Sequence, residues 1–264
     1  MTPEDPSLAA KQFIEWQGLP LAYTDEGSGP VAVVAVPGLP GSSRDYRWLA
    51  PVLTPQVRTV RVDPPGFGDS QRASFRPMTP IERAAMVVDL MDRIGVERAY
   101  LVGHSAGGAV VSSVAHTAPE RVLAVAYVAS AGVRAHFDQR IYRAFSYAYR
   151  NRITRAPLEP LQRRLYLRLG FPDWLTDDER SYSTVDAAVM DFARHGRDVA
   201  AMTMPALVAW GETDRVIPES VSLSLAEIAP QGPRLAIPDG GHNIQKSHAV
   251  ELGELILAHL DELV

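Results

Sequence analysis

The 264-residue chain is long enough for one large core, and a second independent domain would be cramped. Hydrophobic content of 46% and charged content of 22% are ordinary for a globular protein, and a net charge of −5 argues against nucleic acid, which demands a basic footprint. There is no cysteine, so disulfide frameworks, thiolate zinc sites and cysteine nucleophiles are excluded, and the composition fits a cytoplasmic protein.

Residues 1–10 hold acids and two prolines but no apolar run, which is unlike a signal peptide. Residues 12–17 and 19–24 read as two strands joined near Gly18, and Glu26-Gly27-Ser28-Gly29-Pro30 is a turn cluster. Residues 31–36 form a continuous β-branched apolar run, the pattern of a strand buried on both faces and far too short to span a bilayer. Residues 44–53 can be helical, 57–63 form a strand, and a helix runs from Pro80 to about Ile94 with Thr79 as its N-cap. A strand at 99–103, a helix at 106–117 and a strand at 122–130 follow.

The rhythm then breaks. Between residues 133 and 202 no buried strand appears, only helical stretches such as 141–153 and 160–169 separated by prolines. Alternation resumes with a strand at 206–211, a helix at 219–228, a strand at 234–238 and a helix at 248–260. The expected fold is α/β, a mostly parallel doubly wound sheet with helices on both faces. Residues 1–132 and 203–264 would form its core, and 133–202 a helical cap inserted late in the sheet.

The sharpest chemical signal is Gly103-His104-Ser105-Ala106-Gly107-Gly108. It follows an apolar strand and opens a helix, the context that a G-x-S-x-G nucleophile turn requires. Glycines two positions on either side remove side chains that would collide with nearby backbone. The turn lifts the serine oxygen above the strand ends, near the positive end of the following helix. A serine hydroxyl is a poor nucleophile at neutral pH, so it needs a base, and the base needs a group to fix its tautomer. For this strand–turn–helix motif the chain order is Ser, then Asp or Glu, then His.

His242, in Asp239-Gly240-Gly241-His242, follows the last expected strand and is the expected base. His248 and His259 belong to the final helix, His195 lies in the insertion, and His104 is expected to pack sideways. Asp214, in Trp210-Gly211-Glu212-Thr213-Asp214-Arg215, is the expected acid. Glu212 is its rival, and Asp239 is too near His242 in sequence to reach its far nitrogen comfortably.

On these residues the chain resembles the α/β-hydrolase superfamily over nearly its whole length. The carriers are the Gly103–Gly108 motif, Asp63-Pro64-Pro65-Gly66-Phe67-Gly68-Asp69-Ser70, Gly211-Glu212-Thr213-Asp214 with Pro218, and Gly241-His242. It looks most like small capped serine esterases and the cofactor-free haloperoxidase-like and C–C hydrolase members. The resemblance implies an oxyanion hole between the amides of Ala106 and Leu39, the latter in Pro37-Gly38-Leu39-Pro40. Relatives usually carry His-Gly where this chain has Pro37-Gly38, which removes an imidazole but not the donor; Pro40 has no N–H to give. Serine at position 105 disfavours the relatives with an aspartate nucleophile.

Residues 134–168 carry nine arginines against only Asp138 and Glu159, together with six aromatic residues. Ile141, Phe145, Ala148, Tyr149 and Ile153 fall at helical spacing. The favoured reading is a lid helix whose apolar underside, including Phe145 and Tyr149, faces the substrate pocket beneath a solvated basic top. The alternative is a surface that meets anionic lipid or an acidic partner.

The expected chemistry is acyl-enzyme hydrolysis of a small carboxylic ester with a hydrophobic acyl or aryl part, with no metal or organic cofactor suggested by ligand spacing or a phosphate loop. C–C bond hydrolysis and haloperoxidase-like chemistry use the same three residues and stay open. A ligand receptor of the same fold with little turnover is the alternative from another class.

Overall fold

Eight strands form one sheet: β1 (Gln12–Trp16), β2 (Leu19–Glu26), β3 (Ala32–Val36), β4 (Arg58–Val62), β5 (Ala99–His104), β6 (Val122–Val128), β7 (Ala206–Gly211) and β8 (Arg234–Ile237). They lie in the order β1-β2-β4-β3-β5-β6-β7-β8, with β1, β2 and β4 joined antiparallel and every later pair parallel. These positions come from a computed structural model describing residues 9–168 and 170–263. The N-terminal reading of residues 1–8, and Leu169 at the end of one expected helix, fall outside the described residues.

The continuous apolar runs follow from burial on both faces. Val34, Val36, Leu101, Val125 and Val208 pack into one core, while Val33, Ala35, Val102, Ala126 and Leu207 pack into the other. The first core is closed by α2 (Pro80–Arg93) and α3 (Gly107–Thr117), the second by α1 (Ala50–Leu53) and a late C-terminal helix. Thr79 caps α2 as expected: its hydroxyl accepts the Glu82 amide, the Glu82 carboxylate accepts the Thr79 amide, and Pro80 takes the first turn. The helix expected over residues 44–53 is instead a 3-10 turn at Ser43–Tyr46 followed by α1, with Pro51 in the first turn of the second piece.

Between β6 and β7 the chain forms α4 (Gln139–Tyr149), α5 (Arg152–Arg155), α6 (Glu159–Arg168), α7 (Asp177–Ala187) and α8 (Phe192–Ala200). After β7 come α9 (Glu219–Ile228), β8, α10 (Ile244–Ser247) and α11 (Ala249–Asp261). The helix expected over 141–153 is thus two, because the Asn151 carboxamide accepts the Ile153 amide and starts a new turn.

α7 is tied to the core by a buried ion cluster. Asp186, 1% exposed, accepts two bonds of 2.8 Å from Arg72, one from Arg83 and one of 2.7 Å from the Met78 amide. Removing one partner of such a cluster leaves uncompensated buried charge. Asp186→Ala is therefore expected to destabilise the protein by about 3–5 kcal/mol, lowering the melting midpoint by roughly 10 °C. A thermal melt followed by circular dichroism reads this directly, and a shift within 2 °C or so would remove the anchoring role.

Candidate active site

Ser105 follows β5 on a turn where its backbone is left-handed, φ +51°. A non-glycine residue pays a conformational cost there, and surrounding bonds hold it. The Ser105 amide donates to Val128 O at 3.1 Å, and the Ser105 carbonyl accepts from Gly108 N at 3.0 Å and Ala131 N at 2.9 Å. A Cβ on Gly103 would lie 2.7 Å from Gly107 O and from a Val111 methyl, and one on Gly107 would lie 2.3 Å from Val36 O. Both glycines of the motif are thus required by close backbone approach.

The second and third expected residues reach Ser105 through the loops after β7 and β8. Gly211 lets those loops meet, since a Cβ there would lie 2.1 Å from Gly240 O. The Thr213 amide and hydroxyl both donate to Gly240 O, at 3.0 and 2.8 Å. His242 Nδ1 is 2.8 Å from Asp214 Oδ2, and His242 Nε2 is 3.1 Å from Ser105 Oγ. A carboxylate only accepts, so Nδ1 carries the proton and the Nε2 lone pair is left to face the serine hydroxyl.

The other Asp214 oxygen accepts the amides of Val216 at 2.7 Å and Ile217 at 2.9 Å. Burial by itself would raise the Asp214 carboxyl, but the bond to His242, its charge and these two amides outweigh it and hold the carboxyl below its ordinary value. The side chains of Asp214 and His242 are 2% and 11% exposed. Glu212 is exposed, and among the described residues no hydrogen bond or ion pair engages its carboxylate. Asp239 is turned outward and pairs with His248 at 3.2 Å.

His104 does more than pack sideways. It is buried, and its Nε2–H donates to the His242 carbonyl at 2.9 Å, tying the loop that carries His242 to the nucleophile turn. Burial, and then the neighbouring His242, pull its pKa down to about 3, so it stays a neutral donor. Sequence spacing gives no hint of this bond, because its acceptor is backbone 138 residues away. His195 is likewise buried and donates to Ala131 O at 3.0 Å, and His259 pairs with the Tyr100 hydroxyl.

Ser105 lines two cavities. The first, about 220 Å³, is lined by Leu39, Ala106, Phe137, Tyr142, Tyr166 and Phe171 among others. The second, about 240 Å³, is lined by polar groups including Asp45, Arg47, Glu179, Asn243, Gln245 and Lys246. Leu39 borders both, and Ala106 the first. Among the described residues no hydrogen bond occupies the amide of Leu39 or of Ala106. Gly38 brings this loop against the nucleophile, for a Cβ there would lie 2.7 Å from the Ser105 Cβ.

The expectation for Phe145 and Tyr149 needs correction: neither lines a cavity at Ser105. The inward arc of α4 is Tyr142, Ser146 and Tyr149, with Tyr149 buried against neighbouring helices, while Ile141 and Phe145 lie on an exposed flank. Tyr142 from α4 and Tyr166 from α6 reach the cavity in their place. The stripe at 141, 145 and 153 is therefore not an underside facing the pocket.

Residues 31–169 match a family model described as the alpha/beta hydrolase fold. The chain is 28% identical over 273 residues to the dihydrolipoyllysine-residue acetyltransferase component of an acetoin cleaving system from Cupriavidus necator, covering 97% of this chain and 71% of that protein. It is 30% identical to the same component from Pseudomonas putida, covering 89% of this chain but only 64% of that protein's length. It is 27% identical to a 2-hydroxy-6-oxononadienedioate/2-hydroxy-6-oxononatrienedioate hydrolase from Burkholderia vietnamiensis, with 90% of each chain covered. Among solved structures, an esterase from Thermogutta terrifontis superposes with a TM-score of 0.79 at 20% identity, over 97% of this chain and 99% of that one.

Proposed function

The chain belongs to the α/β-hydrolase fold family, and within it we propose a serine hydrolase that cleaves a carboxylic ester through an acyl-enzyme. The observation that carries this reading is the unbroken relay from Asp214 through His242 to Ser105, at 2.8 and 3.1 Å, on a left-handed nucleophile turn. Ser105 Oγ attacks the ester carbonyl as His242 Nε2 takes its proton. The amides of Leu39 and Ala106 receive the oxyanion, and each such donor is worth about 3 kcal/mol when one is deleted. His242 returns the proton to the departing alcohol, then activates the water that releases the acid. Asp214 holds the imidazole in the productive tautomer and stabilises its charged form. Residues 133–202 act as a cap over a core of 1–132 and 203–264, and the aromatic cavity beneath it takes the apolar acyl or aryl part.

A second reading is favoured by the other cavity, which Ser105 and His242 line together with Asn243, Gln245 and Lys246, polar groups suited to the charged portion of a substrate. There the same residues would hydrolyse a C–C bond beside a ketone, the class named for the Burkholderia relative.

The test is turnover of a short and a long p-nitrophenyl ester, with mass spectrometry of acid-quenched enzyme to find acyl on the Ser105 peptide. Turnover with acylation is the expected result. An enzyme inert to both esters but labelled at Ser105 by a fluorophosphonate puts C–C hydrolysis first. Neither turnover nor labelling overturns both readings.

A further inference from the structure

The inserted helices carry a surface that ester hydrolysis in solution does not use. Ile141, Phe145, Ile153, Leu161 and Leu165 on α4–α6, and Trp174 in the loop after α6, are exposed large apolar side chains, with Ile153 84% and Leu161 64% exposed. Arg140, Arg143, Arg150, Arg164 and Arg168 are exposed among them. Residues 134–168 hold nine arginines against two acids, +7 within a chain whose total is −5.

The acids nearest this surface are already committed. Asp177 is paired with Arg180, Asp178 with Arg155, and Asp173 with Arg163. Glu179 closes the N-terminal cap of α7 through Thr176 and accepts the Gly68 amide. Asp138 caps α4 through the Arg140 amide, and Glu159 faces Arg155.

We propose that this face of α4–α6 docks on a bilayer surface bearing anionic lipid headgroups, and that the substrate is an acyl ester carried in that surface. Exposed aliphatic and aromatic side chains interspersed with arginine are the composition of an interfacial segment. A second copy is the weaker occupant, because two such faces would set the exposed Arg140, Arg143, Arg150, Arg164 and Arg168 of one against those of the other. The rest of the molecule is strongly acidic, so an anionic bilayer attracts only this face and repels the remainder. The orientation that results sets the cavity against the lipid: Leu165 is half exposed on the outside and also lines the aromatic cavity at Ser105. Trp174 plays the same double part for the polar cavity. The docking surface stands on the charge and exposure alone; the nature of the substrate rests on the ester reading above.

The experiment is co-sedimentation with vesicles of equal parts phosphatidylglycerol and phosphatidylcholine, and with pure phosphatidylcholine, at low and high salt. The same samples are assayed on a soluble short ester. The wild type is expected to sediment with the anionic vesicles only, and to be released by salt. Each arginine near the surface contributes about fivefold in affinity. The triple variant Arg140→Gln, Arg150→Gln, Arg164→Gln should therefore bind about a hundredfold more weakly. Ile153→Ser with Leu161→Ser should weaken binding too, and both variants should keep wild-type turnover of the short ester. Protein that stays in the supernatant at low salt while turning over the ester overturns this proposal and leaves the ester reading standing. Anionic binding without ester turnover keeps the docking surface and removes the ester substrate. Equal binding by the triple variant, or self-association in sedimentation velocity that these substitutions abolish, also overturns it.

Discussion

Ser105→Ala is expected to lower ester turnover by about 10⁴- to 10⁶-fold while leaving the fold intact. The hydroxyl is the only group removed, and alanine is no more strained than serine at φ +51°. The bonds that hold the turn are made by backbone atoms, Ser105 N to Val128 O and Ser105 O from Gly108 and Ala131, and none is lost. Residual rate should come from the amides of Leu39 and Ala106 and from binding, since those donors survive. Groups that act as a unit are non-additive. The double variant Ser105→Ala, His242→Ala should thus be no slower than Ser105→Ala by more than a few fold. Steady-state kinetics with a melting curve for each variant reads both points. Loss of turnover within about tenfold would mean that Ser105 is not the nucleophile.

The parts of this site that were legible in the sequence are those set by local backbone geometry. Gly103 and Gly107 are dictated by atoms 2.7 and 2.3 Å from their missing side chains, so the turn must be written into consecutive residues. Thr79-Pro80 with Glu82 is likewise a local signal, and α2 begins where it predicts. The apolar runs of β3, β5 and β6 announce a sheet covered on both faces, because no alternation is possible when neither face meets water.

The inserted helices are less legible in the sequence for a physical reason. Helical spacing of apolar residues signals a buried face only when those residues are buried, and Ile141, Phe145 and Ile153 are not. α7 leaves no clear apolar stripe, since its inward positions include Arg180, Ser181, Ser183 and Asp186. Their burial is made possible by hydrogen bonds and ion pairs to distant segments, such as Arg72 and Arg83 on Asp186, which no local pattern reports. The bond from His104 to the His242 carbonyl is hidden in the same way, because its acceptor is distant backbone.

Asp214→Asn is expected to cost about 10⁴-fold in turnover at neutral pH, through the tautomer of His242 rather than through lost structure. The orientation of the replacement is fixed by its neighbours. Asp214 Oδ1 accepts the amides of Val216 and Ile217 at 2.7 and 2.9 Å, so an asparagine must place its carbonyl there and turn its NH₂ toward His242. Nδ1 would then have to accept, and the proton would move to Nε2, which faces Ser105 Oγ at 3.1 Å. The base is thereby lost although every heavy atom stays in place. In the wild type, the bond to His242 and the two amides hold the carboxyl below 3.8, its ordinary value. Because that pKa is lowered on folding, the stability it contributes is present above the ordinary carboxylate range and is lost as pH falls through the lowered value. Asp214→Asn should therefore lose turnover at neutral pH, where Asp214 is ionised, and flatten the acid limb of the stability curve. Glu212→Gln is the matched control, expected within about twofold of wild type because that carboxylate is exposed and unengaged among the described residues. If Glu212→Gln proved the inactive variant and Asp214→Asn the active one, the orienting acid would have to be reassigned to Glu212.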